Sequence, residues 1–302
     1  MSLDVFREEK YNQQDYWTIH KNRVEKIKSQ LEFLLEDSPF TDAHLHFYPY
    51  KLFKAIINWF NKAGWFIPYK EESETLYDYL RFTGLERGFL LLYAHKPDIS
   101  YSLNKWAKDF SQEKNLFPFA CIHPEDFELE KILGKALDEW NFPGVKLHLH
   151  VQQYRADDPG LIPVYKALNK RDKCLIIHGG SCPFPEKHLN LDYLHNILKR
   201  FPNLRVQIPH LGLYELDKSY WLAKNYENVY LDTSFILGNP AFPLGNYMEK
   251  IIELQDKVFY GSDFPLIKHS VVKGLEKILE LELDREFYQK FFSDNANRFL
   301  KD

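Results

Sequence analysis

The chain is short of cysteine, of phosphate-cradling glycine patterns, of excess charge and of any long apolar run. Three cysteines, Cys121, Cys174 and Cys182, are too few and too scattered for a disulfide framework, which fits a reducing compartment and a cytoplasmic location. The longest apolar stretches are no longer than runs such as Phe89 to Tyr93, far below the roughly 18 residues that cross a bilayer. No membrane association is expected. The opening MSLDVFREEKYNQQ carries charges where a signal peptide needs an apolar core of about 7–15 residues, so export by that route is not expected. Lys and Arg number 39 against 43 Asp and Glu, and a net charge of −4 offers no general attraction to nucleic acid or to an anionic membrane. The 13 glycines do not form the GxGxxG turn that an open dinucleotide-binding sheet places after its first strand. Internal repeats, low-complexity tracts and linkers are also missing.

What remains is an ordinary packing composition, 45% hydrophobic and 27% charged, on 302 residues. One α/β barrel routinely uses about 250 residues, so a single large domain is allowed. Aromatics reach 16%, which suits either thick core packing or a pocket walled with rings. Val24, Ile27, Leu31 and Leu34 recur at helical spacing, which predicts a helical N-terminal extension over residues 1–38. From 39 to 302, short apolar runs alternate with amphipathic segments such as FELEKILGKALDEW and YLHNILKRF. The runs predict eight strands, at 40–46, 88–93, 117–123, 144–150, 174–178, 205–210, 229–234 and 258–263. Eight such units specify a (β/α)8 TIM barrel.

The candidate chemistry clusters at the C-terminal ends of these runs, where a barrel carries its active site. The first run ends with Asp42, His44 and His46 two residues apart and hence on one face. The fifth run ends in His178, the sixth in His210 and the eighth in Asp263, so closing the barrel gathers five potential ligands: His44, His46, His178, His210 and Asp263. Neutral imidazoles with a carboxylate suit a divalent ion such as zinc, with room for a reactive water. On the fourth run Lys146, His148 and His150 share one face. Lys146 pairs with a carboxylate or holds an acidic substrate. His148 and His150 line the pocket or are satisfied by loop hydrogen bonds. Asp232, near the end of the seventh run, orients a ligand histidine or caps a turn. His95 and His123 read as strand exits, His20, His188, His195 and His269 as peripheral, and Cys182 as a bystander.

Taken together, DAHLHF at 42–47, IIHGG at 176–180, IPHLG at 208–212 and YGSDFP at 260–265 resemble the metal-dependent amidohydrolase superfamily, in the branch that contains both hydrolases and nonoxidative decarboxylases. NVYLDTS at 228–234 and DNANRFL at 294–300 extend the resemblance to the C-terminus. It implies that His44, His46, His178 and Asp263 are metal ligands, with His210 as a second-metal ligand or a base. It also implies one divalent ion, with zinc expected, a second ion or manganese as alternatives, and Lys146 as the bridge if two are bound.

The expected function is hydrolysis of a small amide, ester or lactone by a metal-activated water, with Asp263 and His210 handling the proton. The aromatic HFYPY and WFIPYK segments are expected to select the substrate. The alternative is nonoxidative decarboxylation of an aromatic or unsaturated acid, for which Arg155 is the candidate carboxylate grip. The expected partner is a small-molecule substrate, with no nucleic acid and no membrane; a homo-oligomer is compatible with the chain.

Overall fold

The computed structural model describes residues 21–181 and 186–301, so the first 20 residues of the expected extension, His20 and Cys182 lie outside the described residues. Eight parallel strands run in sequence order: β1 Thr41–Leu45, β2 Arg87–Leu91, β3 Leu116–Cys121, β4 Gly144–His148, β5 Cys174–His178, β6 Val206–Ile208, β7 Val229–Asp232 and β8 Val258–Phe259. Each pairs with its neighbour. The chain past β8 closes the ring onto β1 through a bridge between Leu45 and Phe264 and through Ala43 N–H to the Tyr260 carbonyl at 2.9 Å. Helices alternate with the strands, so the fold is the (β/α)8 barrel that the strand count predicted.

The strands form because each is apolar on both faces, one turned to the barrel interior and one to the surrounding helices. Inside, Phe89, Phe119, Ile176, Phe259 and Phe299 form one buried cluster, and Phe299 comes from the C-terminal helix Asn295–Leu300. That helix plugs the N-terminal end of the barrel. The other end is left for polar side chains and a cavity.

The helix Lys21–Leu35 buries Val24, Ile27, Leu31 and Leu35 in the same core as the barrel helices. Arg23 binds Glu276 on the helix Val271–Leu279, and Arg285 binds Glu36, so this part of the extension is fastened to the barrel wall.

Seven of the eight strands end one to four residues sooner than expected, and two of these ends bear on the site. β4 stops at His148, because beyond the barrel rim no neighbouring strand supplies a ladder partner. Instead the Gln152 side chain accepts the His148 N–H at 3.0 Å and donates to the Ile122 carbonyl at 2.6 Å. The chain turns into the helix Leu149–Gln152, so His150 sits on a helical turn and does not share a strand face with Lys146 and His148. β8 stops at Phe259, and Asp263 lies in a left-handed turn at φ 68°. Asp tolerates that region better than most residues.

Candidate metal centre

His44 projects from β1, and His46 from the residue just past its end, into the open end of the barrel, and Asp263 reaches them from the turn after β8. His46 Nε2 lies 3.0 Å from Asp263 Oδ1, His44 Nε2 lies 3.5 Å from the same oxygen, and the two Nε2 atoms are 3.1 Å apart. The backbone locks this arrangement, with Asp263 N–H donating to the His44 carbonyl at 2.9 Å and His46 N–H to that of Phe264 at 2.8 Å. Asp42, on the same strand, is turned to a structural task. Its Oδ1 accepts the N–H groups of His44 and Ser262, each at 3.0 Å, and burial pushes its carboxyl up to about 7. Gly261 is required here, because a Cβ at that position would meet His44 Cβ at 2.9 Å.

The tautomers follow from the partners of Nδ1. His46 Nδ1 lies 2.5 Å from the Leu91 carbonyl oxygen, which only accepts, so Nδ1 carries the proton. His44 Nδ1 donates to Asp232 Oδ2 at 2.9 Å, and His210 Nδ1 donates to the Ser234 carbonyl at 3.1 Å. All three rings therefore present a bare Nε2. Burial depresses the ionisation of His44 to about 3, with Lys146 adding to the effect, and burial likewise lowers His210 and His178. Burial alone would raise Asp263, but the close imidazoles of His46, His210 and His44 hold it below the usual carboxylate range. The result is electron-rich nitrogens and an anionic oxygen packed at one point. His44, His46 and Asp263 form a group fit to hold a divalent cation, since without one their lone pairs oppose each other.

Asp232 supports this group from below. It is fully buried and accepts His44 Nδ1, the His210 N–H at 3.0 Å and the Ser234 N–H at 2.9 Å. Burial works against its charge, but His44 and these hydrogen bonds hold its carboxyl well below the normal range. Asp232 thus contacts a candidate ligand histidine directly.

His178 and His210 stand beside the group, with ring centres 4.8 Å apart and His210 5.2 Å from His44. His178 Nε2, His148 Nδ1 and Lys146 Nζ are buried without a hydrogen-bond partner. Such orphaned nitrogens are costly unless a ligand or ion completes them, and His178 and His148 stack at 4.4 Å. Lys146 is only 1% exposed and pairs in register with Ile176 of the inner cluster, which places it beneath the site. Burial lowers its ammonium to about 8, partly offset by Asp232 and Asp263.

Above the group opens a cavity of about 620 Å³. His150 lines it with Nδ1 3.3 Å from Glu186, which also lies 2.9 Å from His188. Glu186 and His95 line the cavity too, and sequence reasoning missed both, His95 because the HisLysPro exit signal hid it. The helix Tyr50–Lys62 was missed as well, although its apolar residues at 52, 56, 59 and 60 form a stripe, continued by Ala63 just past its end, beside the core-facing Phe53 and Ile57. Of the aromatic segments, Trp65 lines the cavity, whereas Phe47 and Tyr48 are buried in the core. Arg155 is absent from the lining. It is half exposed, doubly bonded to Asp157 at 2.9 Å and stacked on Tyr193, so it does not grip a substrate carboxylate.

The family profile described as Amidohydrolase matches residues 41–301, the whole barrel with all five strand-end residues. The chain belongs to the amidohydrolase family. Among solved structures, this amidohydrolase is similar to a 5-carboxyvanillate decarboxylase from Novosphingobium aromaticivorans, complexed with manganese and 4-hydroxy-3-methoxy-5-nitrobenzoic acid (TM-score 0.64, 17% identity, 88% of this chain and 96% of the other). A 2,6-dihydroxybenzoate decarboxylase from Rhizobium aligns at TM-score 0.67 and 14% identity, over 87% of this chain and 99% of the other. An uncharacterized TIM-barrel protein from Bordetella bronchiseptica aligns at TM-score 0.68 and 18% identity, over 86% and 98%. These likenesses establish the shared barrel. Among curated protein sequences none matches this chain. No helix among the described residues is long and apolar enough to cross a membrane.

Proposed function

We propose that this amidohydrolase is a metal-dependent, nonoxidative decarboxylase of a small aromatic or unsaturated carboxylic acid. The observation that carries the reading is the floor of the cavity. Bare imidazole nitrogens and an ionised carboxylate converge there under walls of aromatic rings, with the unpartnered Lys146 ammonium buried beneath them. The decarboxylases among the structural neighbours support the reading, and it reverses the order of the two expectations from sequence.

His44, His46 and Asp263 would hold the ion, with His178 and His210 beside them. A divalent ion bound there supplies positive charge that neutralises an acid substrate's carboxylate and polarises its oxygens; the donor set accepts zinc or manganese. The residues of the chain do the rest. Lys146 contributes a positive potential beneath the floor, and the apolar walls exclude water from the ring. Asp263, protonated in the substrate complex, delivers its proton to the ring carbon that carries the carboxylate. The bond from that carbon to the carboxylate then breaks, its electron pair returns to the ring, carbon dioxide leaves, and Asp263 is reprotonated from solvent.

One observation favours the second reading, hydrolysis. The free Asp263 is held as a carboxylate, the form that takes a proton from water. The two readings separate in heavy water with metal-loaded protein and a panel of aromatic acids, esters and amides. Release of carbon dioxide with deuterium at the vacated ring position supports decarboxylation; cleavage of esters or amides without carbon dioxide overturns it.

A further inference from the structure

The polar floor occupies only part of the cavity. From it, one continuous line of rings climbs to the surface: His210 to Phe235 at 6.0 Å, Phe235 stacked on Trp65 at 5.2 Å, Trp65 to Phe60 at 6.2 Å, and Phe60 to Trp59 at 5.1 Å. Trp59 ends the line 57% exposed at the rim. Leu52 and Ile56, on the helix Tyr50–Lys62, face the cavity along with Phe60, and no described residue lining the cavity is Lys or Arg. A volume of about 620 Å³ lies within the roughly 300–1,000 Å³ that encloses drug-sized ligands, so a one-ring acid would leave most of it empty. An empty apolar channel of this kind is worth building only if something apolar fills it, because solvating it costs about 25 cal/mol per Å².

We infer that the channel from Phe235 to Trp59 is a specificity subsite for an uncharged apolar substituent, so that the substrate is a monocarboxylic acid with an aryl or alkyl extension distal to its carboxylate. The inference rests on the acid-substrate reading of the floor. A second carboxylate is disfavoured along the side formed by Leu52, Ile56 and Phe60, where no described lining residue is Lys or Arg, while Lys268 Nζ stands 4.0 Å from the Trp65 ring centre. Ala55 and Ala63, small residues on the cavity-facing side of the helix, set the width of the channel.

The test is calorimetric binding of benzoates to metal-loaded protein without turnover, with 4-alkyl groups of increasing length and with benzene-1,4-dicarboxylate for comparison. Each buried methylene should tighten binding about fourfold, the dicarboxylate should bind more weakly than the alkyl acids, and Ala55→Trp should flatten the series, its slope read relative to benzoate in the same variant. Ala63→Phe serves the same purpose if Ala55→Trp fails to fold. A flat series in the wild type, an undiminished slope in the filled variants, or no binding of any acid overturns the inference. If the slope holds while the panel of aromatic acids under turnover conditions yields no carbon dioxide, the channel stands and the decarboxylase reading falls.

Discussion

His44 and His46 aim bare Nε2 atoms at each other across 3.1 Å, because each ring has already spent its Nδ1 proton, one on Asp232 and one on the Leu91 carbonyl. Two acceptors at that distance repel unless a cation lies between them and Asp263. The protein holds them together through the β1–β8 closure, whose backbone bonds pin both histidines and Asp263. The site is therefore preorganised for a metal by the same hydrogen bonds that close the barrel.

Asp232→Asn tests that preorganisation. An amide presents either an N–H donor or a single carbonyl oxygen, so it cannot keep all the donors that Asp232 now accepts. The His44 tautomer is then no longer enforced. Metal affinity should fall about 10–100-fold, read by competition with a chelating dye, with the circular dichroism spectrum retained. Unchanged affinity would show that the Asp232 contact does not orient the ligand.

Asp263→Asn removes the group proposed to carry the proton. Carbon dioxide release should drop by about 10²–10⁴-fold even at saturating metal, as loss of a positioned acid does. Activity within a few-fold of wild type would remove Asp263 from the proton path.

Lys146 makes stability depend on pH in the metal-free protein. Its ammonium titrates near 8 in the folded chain against 10.5 in the unfolded chain, because burial disfavours the charge. Between those values the unfolded chain holds a proton that the folded chain lacks. Its contribution therefore makes stability increase as pH rises from about 8 to about 10.5, by on the order of 3 kcal/mol. Urea unfolding of wild type minus Lys146→Met across that range isolates the rise. A difference independent of pH would mean that Lys146 titrates normally.

Arg155→Ala should leave turnover and KM within about twofold, because the guanidinium is committed to Asp157 and Tyr193 outside the cavity. A large rise in KM would place it back in substrate recognition.

Much of the barrel was legible because parallel strands must be apolar on both faces, and each of the eight expected runs contains a strand, although all but β5 end earlier than expected. The metal group was legible for a related reason: a histidine or aspartate ending an apolar strand has little to do in a core. His150 was misplaced because period-two alternation continues on paper past the residue where β4 loses its partner. The rise from Phe235 to Trp59 was hidden because Trp59, Phe60 and Trp65 lie together after β1 whereas Phe235 follows β7, and only the closed fold stacks Phe235 on Trp65. Glu186 gave no signal at all, being one acid in a polar loop.

The central claim is that His44, His46 and Asp263 hold a divalent ion, and metal stoichiometry measures it most directly. Protein purified without chelator and with bicarbonate present is analysed by inductively coupled plasma mass spectrometry, alongside a His44→Ala, His46→Ala double variant. The account predicts about one equivalent of zinc or manganese in the wild type and loss of it in the variant; two equivalents would keep the site and make Lys146 a carboxylated bridge. A wild type that takes up no divalent metal, or a double variant that binds it as well as the wild type, would contradict the account.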